Sequence, residues 1–333
     1  MKAGVNMIRY IVTGAAGHLG STIIRNLSGS GDEIYGLLLN GEKEKVSGPN
    51  IRYYSGNVCE IDSLRRLFRD SGDHEIIVIH TAAIISIDEK IPRKLIKVNI
   101  RGTKNIIKLC WEYGVKRLVH VSSVHAIPEL PHDQVIKEVN TYTAHSVFGG
   151  YAKTKAVAAQ AVMDAIKCGL DAVIMFPAGI IGPYDEGQNH LVQMAKDYMA
   201  GKLKVCVKGG YNLVDVRDVA LGCIRAAKDG LVGEGYILSG HYISIRDFLN
   251  MVGQYSGNKE IRVMPTWMAK AAVPFITNYA RIFRKRPLYT RYSLNALKSN
   301  SNFSNEKAEW DLGFSPRSIQ DTTRDMVEWL KGK

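Results

Sequence analysis

The first half of the chain alternates two hydrophobic rhythms. Short apolar runs at 10–12, 33–39, 51–54, 76–80, 117–121 and 172–176 have the length and composition of strands. The unbroken run at 76–80 is what a strand covered on both faces requires. Between the runs, apolar residues recur at helical spacing. Leu19, Ile23, Ile24 and Leu27 form one stripe, and further helices are predicted over 61–70, 93–113 and 149–168. Strands alternating with helices in this way predict an α/β fold with a parallel, doubly wound sheet. After Phe176 the rhythm breaks. Gly182, Pro183 and Gly187 punctuate a loop, a helix is predicted over 191–200, and shorter pieces follow. The expected division is residues 1–176 for the sheet domain, which also receives parts of 211–240, and residues 177–333 for a smaller C-terminal subdomain.

Composition narrows the function classes. No apolar run approaches the roughly 18 residues of a membrane helix, and the longest candidate, 172–182, is broken by Pro177. The first apolar stretch runs directly into a glycine-rich turn, which does not read as an export signal, so a cytoplasmic protein without an integral membrane segment is expected. The five cysteines include no Cys-x-x-Cys pair, which points to neither a disulfide framework nor a bound metal. The net charge of +12 would attract anions, yet Lys and Arg are dispersed, apart from a cluster at Arg281, Arg284, Lys285 and Arg286. With no aromatic-interleaved basic motif, nucleic acid is not an expected partner. The apolar and basic stretch 265–290 is a candidate for contact with a membrane surface.

Thr13-Gly14-Ala15-Ala16-Gly17-His18-Leu19-Gly20 lies between a predicted strand and a predicted helix, the context that gives a glycine pattern meaning. Gly14 suits a tight turn, Gly17 the close approach of a pyrophosphate, and Gly20 close packing of helix on sheet. The helix N-terminus then offers N–H groups and its positive dipole end to the phosphates of a dinucleotide. This is the arrangement of a Rossmann-type domain. Tyr151 and Lys155 are four residues apart on one predicted helix and share a face. A tyrosine can protonate the alkoxide formed by hydride transfer to a ketone, or take the proton in reverse. Its ordinary pKa of about 10 requires help from nearby positive charge, which an adjacent ammonium provides.

The glycine turn followed by Tyr-x-x-x-Lys resembles the extended short-chain dehydrogenases/reductases of the NAD-dependent epimerase/dehydratase superfamily. The resemblance continues at His80-Thr81-Ala82-Ala83, 98–103 (VNIRGT), Ser122-Ser123, 177–183 and 215–220 (DVRDVA), in the family's order along most of the chain. The segments 177–185 (PAGIIGPYD), 233–240 (GEGYILSG) and 307–317 (KAEWDLGFSPR) resemble dihydroflavonol 4-reductases and 3β-hydroxysteroid dehydrogenases in particular. The resemblance implies that Tyr151, Lys155 and Ser123 are catalytic. It implies that Gly14, Ala16, Gly17, His18, Leu19, Asn57, Val58, Thr81, Ala82, Ala83, Asn99 and Pro177 join Tyr151 and Lys155 in holding the cofactor. Ser123, His125 and Tyr184 are candidates for substrate contact, and a homodimer through 93–113 and 149–168 is implied. Asp215 and Asp218 are expected to be structural.

The cofactor is NADP or NAD. An NAD site usually ends its second strand with an acid that accepts from the ribose hydroxyls. Here that strand ends Leu37-Leu38-Leu39-Asn40, with Lys43 and Lys45 in the following loop, so the balance leans to NADP. Trp267, Phe275, Tyr279, Phe283, Tyr289 and Tyr292 suggest a bulky, fairly apolar small-molecule substrate. The expected activity is reduction of a ketone or oxidation of a secondary alcohol. The alternatives are a nucleotide-sugar epimerase, with Arg217, Arg246 and Arg291 as candidate diphosphate ligands, and a non-catalytic dinucleotide-binding regulator.

Overall fold

A computed structural model describes residues 7–69, 72, 74–86, 91–185, 189–265, 268 and 291–333. The chain order begins β1 (Ile8–Thr13), α1 (His18–Leu27), β2 (Glu33–Leu38), β3 (Ile51–Ser55), α2 (Ile61–Phe68) and β4 (Glu75–His80). It continues through α3 (Arg93–Ile96), a wider π-helical segment (Lys97–Gly102), α4 (Thr103–Glu112), β5 (Arg117–Val121), α5 (Gly150–Lys167) and β6 (Ala172–Pro177). The six sheet strands and the helices expected in this half are present. The helix predicted over 93–113 takes the wider winding in its middle, and Asn99 sits there.

The rhythm that breaks after Phe176 resumes further on. Beyond β7 (Gly179–Ile181), α6 (His190–Met199), β8 (Val205–Val207) and β9 (Gly210–Asp215), helix α7 (Val216–Asp229) packs on α1, and β10 (Gly235–Leu238) returns to the main sheet. β10 pairs in parallel with β6, Gly235 opposite Ile174 and Leu238 opposite Pro177. Seven parallel strands result, in the order β10-β6-β5-β4-β1-β2-β3. The order reverses between β1 and β4, and the crevice beyond their C-terminal ends is where such sheets bind ligands.

One hydrophobic core fills both sides of this sheet and recruits Ala308, Leu312 and Phe314 from near the end of the chain. A second core gathers Ile181, Val192 and Tyr198 with Phe248 and Leu249 of α8 (Ile245–Ser256) and Met326 of the helix Ile319–Lys331. Ion pairs bolt the two cores together. Asp215 caps α7 and binds Arg217, which also reaches Asp325, while Arg317 grips Asp218 at 2.7 Å. Among the described residues no helix is long and apolar enough to cross a membrane. The basic cluster at 281–286 and five of the six aromatics expected to line the substrate site (Trp267, Phe275, Tyr279, Phe283, Tyr289) lie outside the described residues, as does most of the candidate membrane-contact stretch.

Candidate active site

The turn after β1 is built as its glycines require. Gly14 adopts φ 70°, a left-handed conformation that favours glycine. Its α-carbon also lies so close to β4's exit that a Cβ would meet Thr81 Oγ1 at 2.9 Å. A Cβ on Gly20 would stand 2.2 Å from the Gly14 carbonyl oxygen, so α1 rests directly on the turn. Gly17 caps α1 without any side-chain hydrogen bond, and the first helical turn carries no acidic residue. Its leading N–H groups are therefore left for an external acceptor, the arrangement that suits an anion at a helix N-terminus.

A cavity of about 1320 Å³ runs from this turn to the second core. Gly14, Gly17, His18, Leu19, Asn57, Val58, Thr81, Ala82, Ala83 and Pro177 line it, and so do Ser123, His125, Tyr151 and Lys155. Three of the residues that the resemblance assigned to the cofactor or the substrate are not in its wall. Ala16 is buried in the core. Asn99 is spent on structure: its amide group donates to the Ile84 carbonyl and to Thr154 Oγ1, and its oxygen accepts from the Ile84 amide. Tyr184 departs from the substrate contact expected of it. Its ring packs edge-on against Trp329 and under the Arg25 guanidinium.

Tyr151 and Lys155 occupy the first turns of α5, both buried. Lys155 Nζ donates to the Val121 carbonyl at 2.7 Å, and burial pushes its pKa down to about 7. The His125 ring meets the Tyr151 ring edge-on, 6.4 Å between centroids. Burial lowers the His125 pKa, with Glu129 opposing. Ser123 stands at the C-terminal end of β5, where its Oγ accepts from the His125 amide. Behind them, the His80 and His120 rings lie side by side on neighbouring strands, 5.5 Å between centroids. Burial first, then the charge of Lys155, lowers both imidazole pKa values, that of His80 to about 3.

At the other end of the cavity, Asn57 spends its side-chain oxygen on the Cys59 amide. Glu42 lines the wall near Leu37 and Leu39, its carboxylate held by the Leu39 amide at 2.8 Å. The sequence reading overlooked Glu42, because the acid stands four residues past the strand's end rather than on it. Lys43 and Lys45 are not in the wall. Asp185, Asn189, His190, Tyr211 and Asn212 line the cavity beyond the turn, and the segment 295–301 adds Lys298. Among these, Asn189 carried a readable signal: an asparagine before the apolar periodicity of 191–199 is a helix cap.

A model of the NAD dependent epimerase/dehydratase family matches residues 10–238. The chain belongs to that family. Family members similar to it over nearly their whole length include a protein named sterol demethylase protein B from Methylococcus capsulatus (28% identical; 96% of this chain, 98% of that protein). A putative dihydroflavonol 4-reductase from Synechocystis is 25% identical (97% and 94%). A 3 beta-hydroxysteroid dehydrogenase/Delta 5-->4-isomerase of vaccinia virus is 28% identical (98% and 99%). Among solved structures, the fold is shared with Thermus thermophilus UDP-glucose 4-epimerase in complex with NAD (TM-score 0.77, 22% identical, 98% and 99% covered). A dinucleotide fits the uncapped glycine turn of this family member. Tyr151, Lys155 and Ser123 face the same cavity.

Proposed function

We propose that the protein is an NAD(P)-dependent reductase or dehydrogenase acting on a ketone or secondary alcohol of a bulky small molecule. The observation that carries this reading is that one cavity joins the glycine turn to Tyr151, Lys155 and Ser123. The dinucleotide, when bound, supplies or accepts the hydride. Tyr151 gives its hydroxyl proton to the substrate oxygen in reduction and takes it back in oxidation. Ser123 Oγ–H donates to that oxygen and stabilises the developing charge. Lys155, one helical turn along, stabilises the tyrosine's phenolate form when protonated. Residues around the second core hold the rest of the substrate, and the first core holds the dinucleotide.

Glu42 supports NAD over the NADP to which the strand's end leans. Its anchored carboxylate in the cavity wall would accept from a ribose hydroxyl and repel a 2′-phosphate. A nucleotide-sugar substrate is disfavoured, because Arg217 is consumed by Asp215 and Asp325, and neither it nor Arg246 reaches the cavity wall. The proposed homodimer would pair the segments 93–113 and 149–168, and exposed Ile96 and Trp111 lie on the first of these.

The decisive experiment strips the purified protein of small molecules and supplies NADH or NADPH with cyclic and aryl ketones, or UDP-sugars with NAD. Cofactor oxidation with a ketone is expected. Sugar interconversion with no net change at the nicotinamide absorbance band would replace this reading with the epimerase.

A further inference from the structure

His18 opens α1, so its backbone belongs to the glycine turn, while its side chain crosses to the other core. Nε2 lies 2.8 Å from the Pro183 carbonyl oxygen, and Nδ1 lies 3.3 Å from Asn189 Nδ2. The carbonyl assigns the tautomer. Nε2 carries the proton and donates to Pro183, and Nδ1 accepts from the Asn189 amide group. Asn189 extends the contact. It donates to the Ile180 carbonyl at 2.8 Å, caps α6 by accepting from the Leu191 amide at 2.9 Å, and its own amide donates to Asp185 Oδ2 at 3.0 Å.

The segments 180–185 and 189–191 thus hang on one imidazole, and Ile180, Asp185, Asn189, His190 and Leu191 line the cavity beyond the turn. A second contact from the same helix is made by Arg25, whose guanidinium covers the Tyr184 ring at 4.5 Å. Tyr184 has φ 73°, the one non-glycine residue with positive φ among those described. A conformation of that kind costs about 1–3 kcal/mol and persists where surrounding contacts impose it. Trp329 meets the Tyr184 ring edge-on and donates its indole N–H to the Asp185 carbonyl at 3.2 Å.

We propose that His18 is a positioning residue that passes occupancy of the glycine turn to the substrate-lining segments 180–185 and 189–191, so that the dinucleotide binds first and organises the substrate side. A pyrophosphate on the turn restrains the backbone of Gly17 and His18. That restraint fixes the imidazole against Pro183 and Asn189 and favours the arrangement of both segments in which those contacts are made. The inference rests on the dinucleotide reading above.

The test uses ADP-ribose as probe, which has the pyrophosphate but no nicotinamide to touch the Pro177 end of the cavity. Backbone amide exchange is followed at 189–193, with and without ADP-ribose, and binding is measured separately by calorimetry. His18→Phe keeps the ring's bulk without its nitrogens, and His18→Gln keeps one donor and one acceptor. With each protein at its own saturating ADP-ribose concentration, set from the calorimetry, exchange is expected to slow by about tenfold in the wild type and in His18→Gln, and by less than about twofold in His18→Phe. If His18→Phe does not fold, Asn189→Ser, which keeps the α6 cap and drops the contacts of Nδ2 to His18 Nδ1 and to the Ile180 carbonyl, is expected to show the same loss of the probe's effect relative to its own unliganded state. Equal protection in the variant lacking the contact, or no protection in a wild type that binds ADP-ribose, overturns the inference. A wild type that does not bind ADP-ribose overturns the dinucleotide reading, and this inference with it.

Discussion

Lys155→Met separates what the active-site lysine costs the fold from what it does for the reaction. The ammonium is buried, and burial alone brings its pKa from 10.5 to about 7. At about 1.36 kcal/mol for each pH unit, the charged form is disfavoured in the fold by on the order of 5 kcal/mol. The sign follows from proton counting. Between pH 7 and 10.5 the unfolded lysine binds the proton that the folded one has lost, so wild-type stability rises with pH across that window and is lowest below pH 7. Methionine keeps the aliphatic stem and has no proton to lose. Denaturant unfolding of the cofactor-free proteins is expected to find Lys155→Met more stable at pH 6, with the difference moving toward the wild type by about 3 kcal/mol between pH 7 and 9.5. Turnover should fall by at least about 10²-fold in the same variant. Parallel stability profiles for the two proteins from pH 6 to 9.5 would show that Lys155 is not held in the desolvated state described.

Tyr151→Phe should lose about 10²–10⁴-fold in turnover while dinucleotide affinity, by titration, stays within about threefold. Gly20→Ala places a methyl 2.2 Å from the Gly14 carbonyl oxygen, so thermal unfolding should show a loss of about 1–3 kcal/mol, together with weakened dinucleotide binding. Glu42→Gln should raise the ratio of NADPH to NADH efficiency by about tenfold, because a like charge opposing a 2′-phosphate is removed. An unchanged ratio would take Glu42 out of cofactor selection.

The half of the fold that could be read from the chain is the half with local signals. The strands ending at Thr13, His80 and Val121 are short, mainly apolar runs between helices of clear period, and each needs only its own neighbourhood to be recognised. β10 is a four-residue run, Gly-Tyr-Ile-Leu, whose place beside β6 is set by α7 packing on α1 rather than by anything within the run. The site divides in the same way. Tyr151 and Lys155 are legible because a helix puts residues four apart on one face. Glu42, Asp185 and Lys298 are not, since each reaches the cavity from a loop or a distant segment whose course is a tertiary fact. Tyr184 shows the converse. Its place just after the Gly-Pro turn suggested substrate contact, but Arg25 and Trp329 hold its ring between them.

Arg217 offers the sharpest way to separate the two chemistries this family carries. If it bound a diphosphate, its loss would raise the KM for a nucleotide sugar and leave the fold alone. In the structure it bridges Asp215 at 2.7 Å and Asp325 at 2.7 Å, and the Asp215 side chain is fully buried. Removing the guanidinium would strand that carboxylate with the Arg217 amide and a more distant Arg317, 3.7 Å away, as compensation. Breaking a buried pair from one side typically costs about 3–5 kcal/mol, and the partial backup from Arg317 puts Arg217→Met near the low end, about 3 kcal/mol. The loss should be felt where the two cores meet, because Asp325 lies on the helix that packs into the second core while Asp215 caps a helix of the first. Denaturant unfolding should therefore show a large drop in stability, and the KM for a ketone substrate at low temperature should stay close to that of the wild type. A variant with wild-type stability and a raised KM for UDP-sugars would mean that the arginine leaves its aspartates to bind a diphosphate, and the reductase reading would give way to the epimerase.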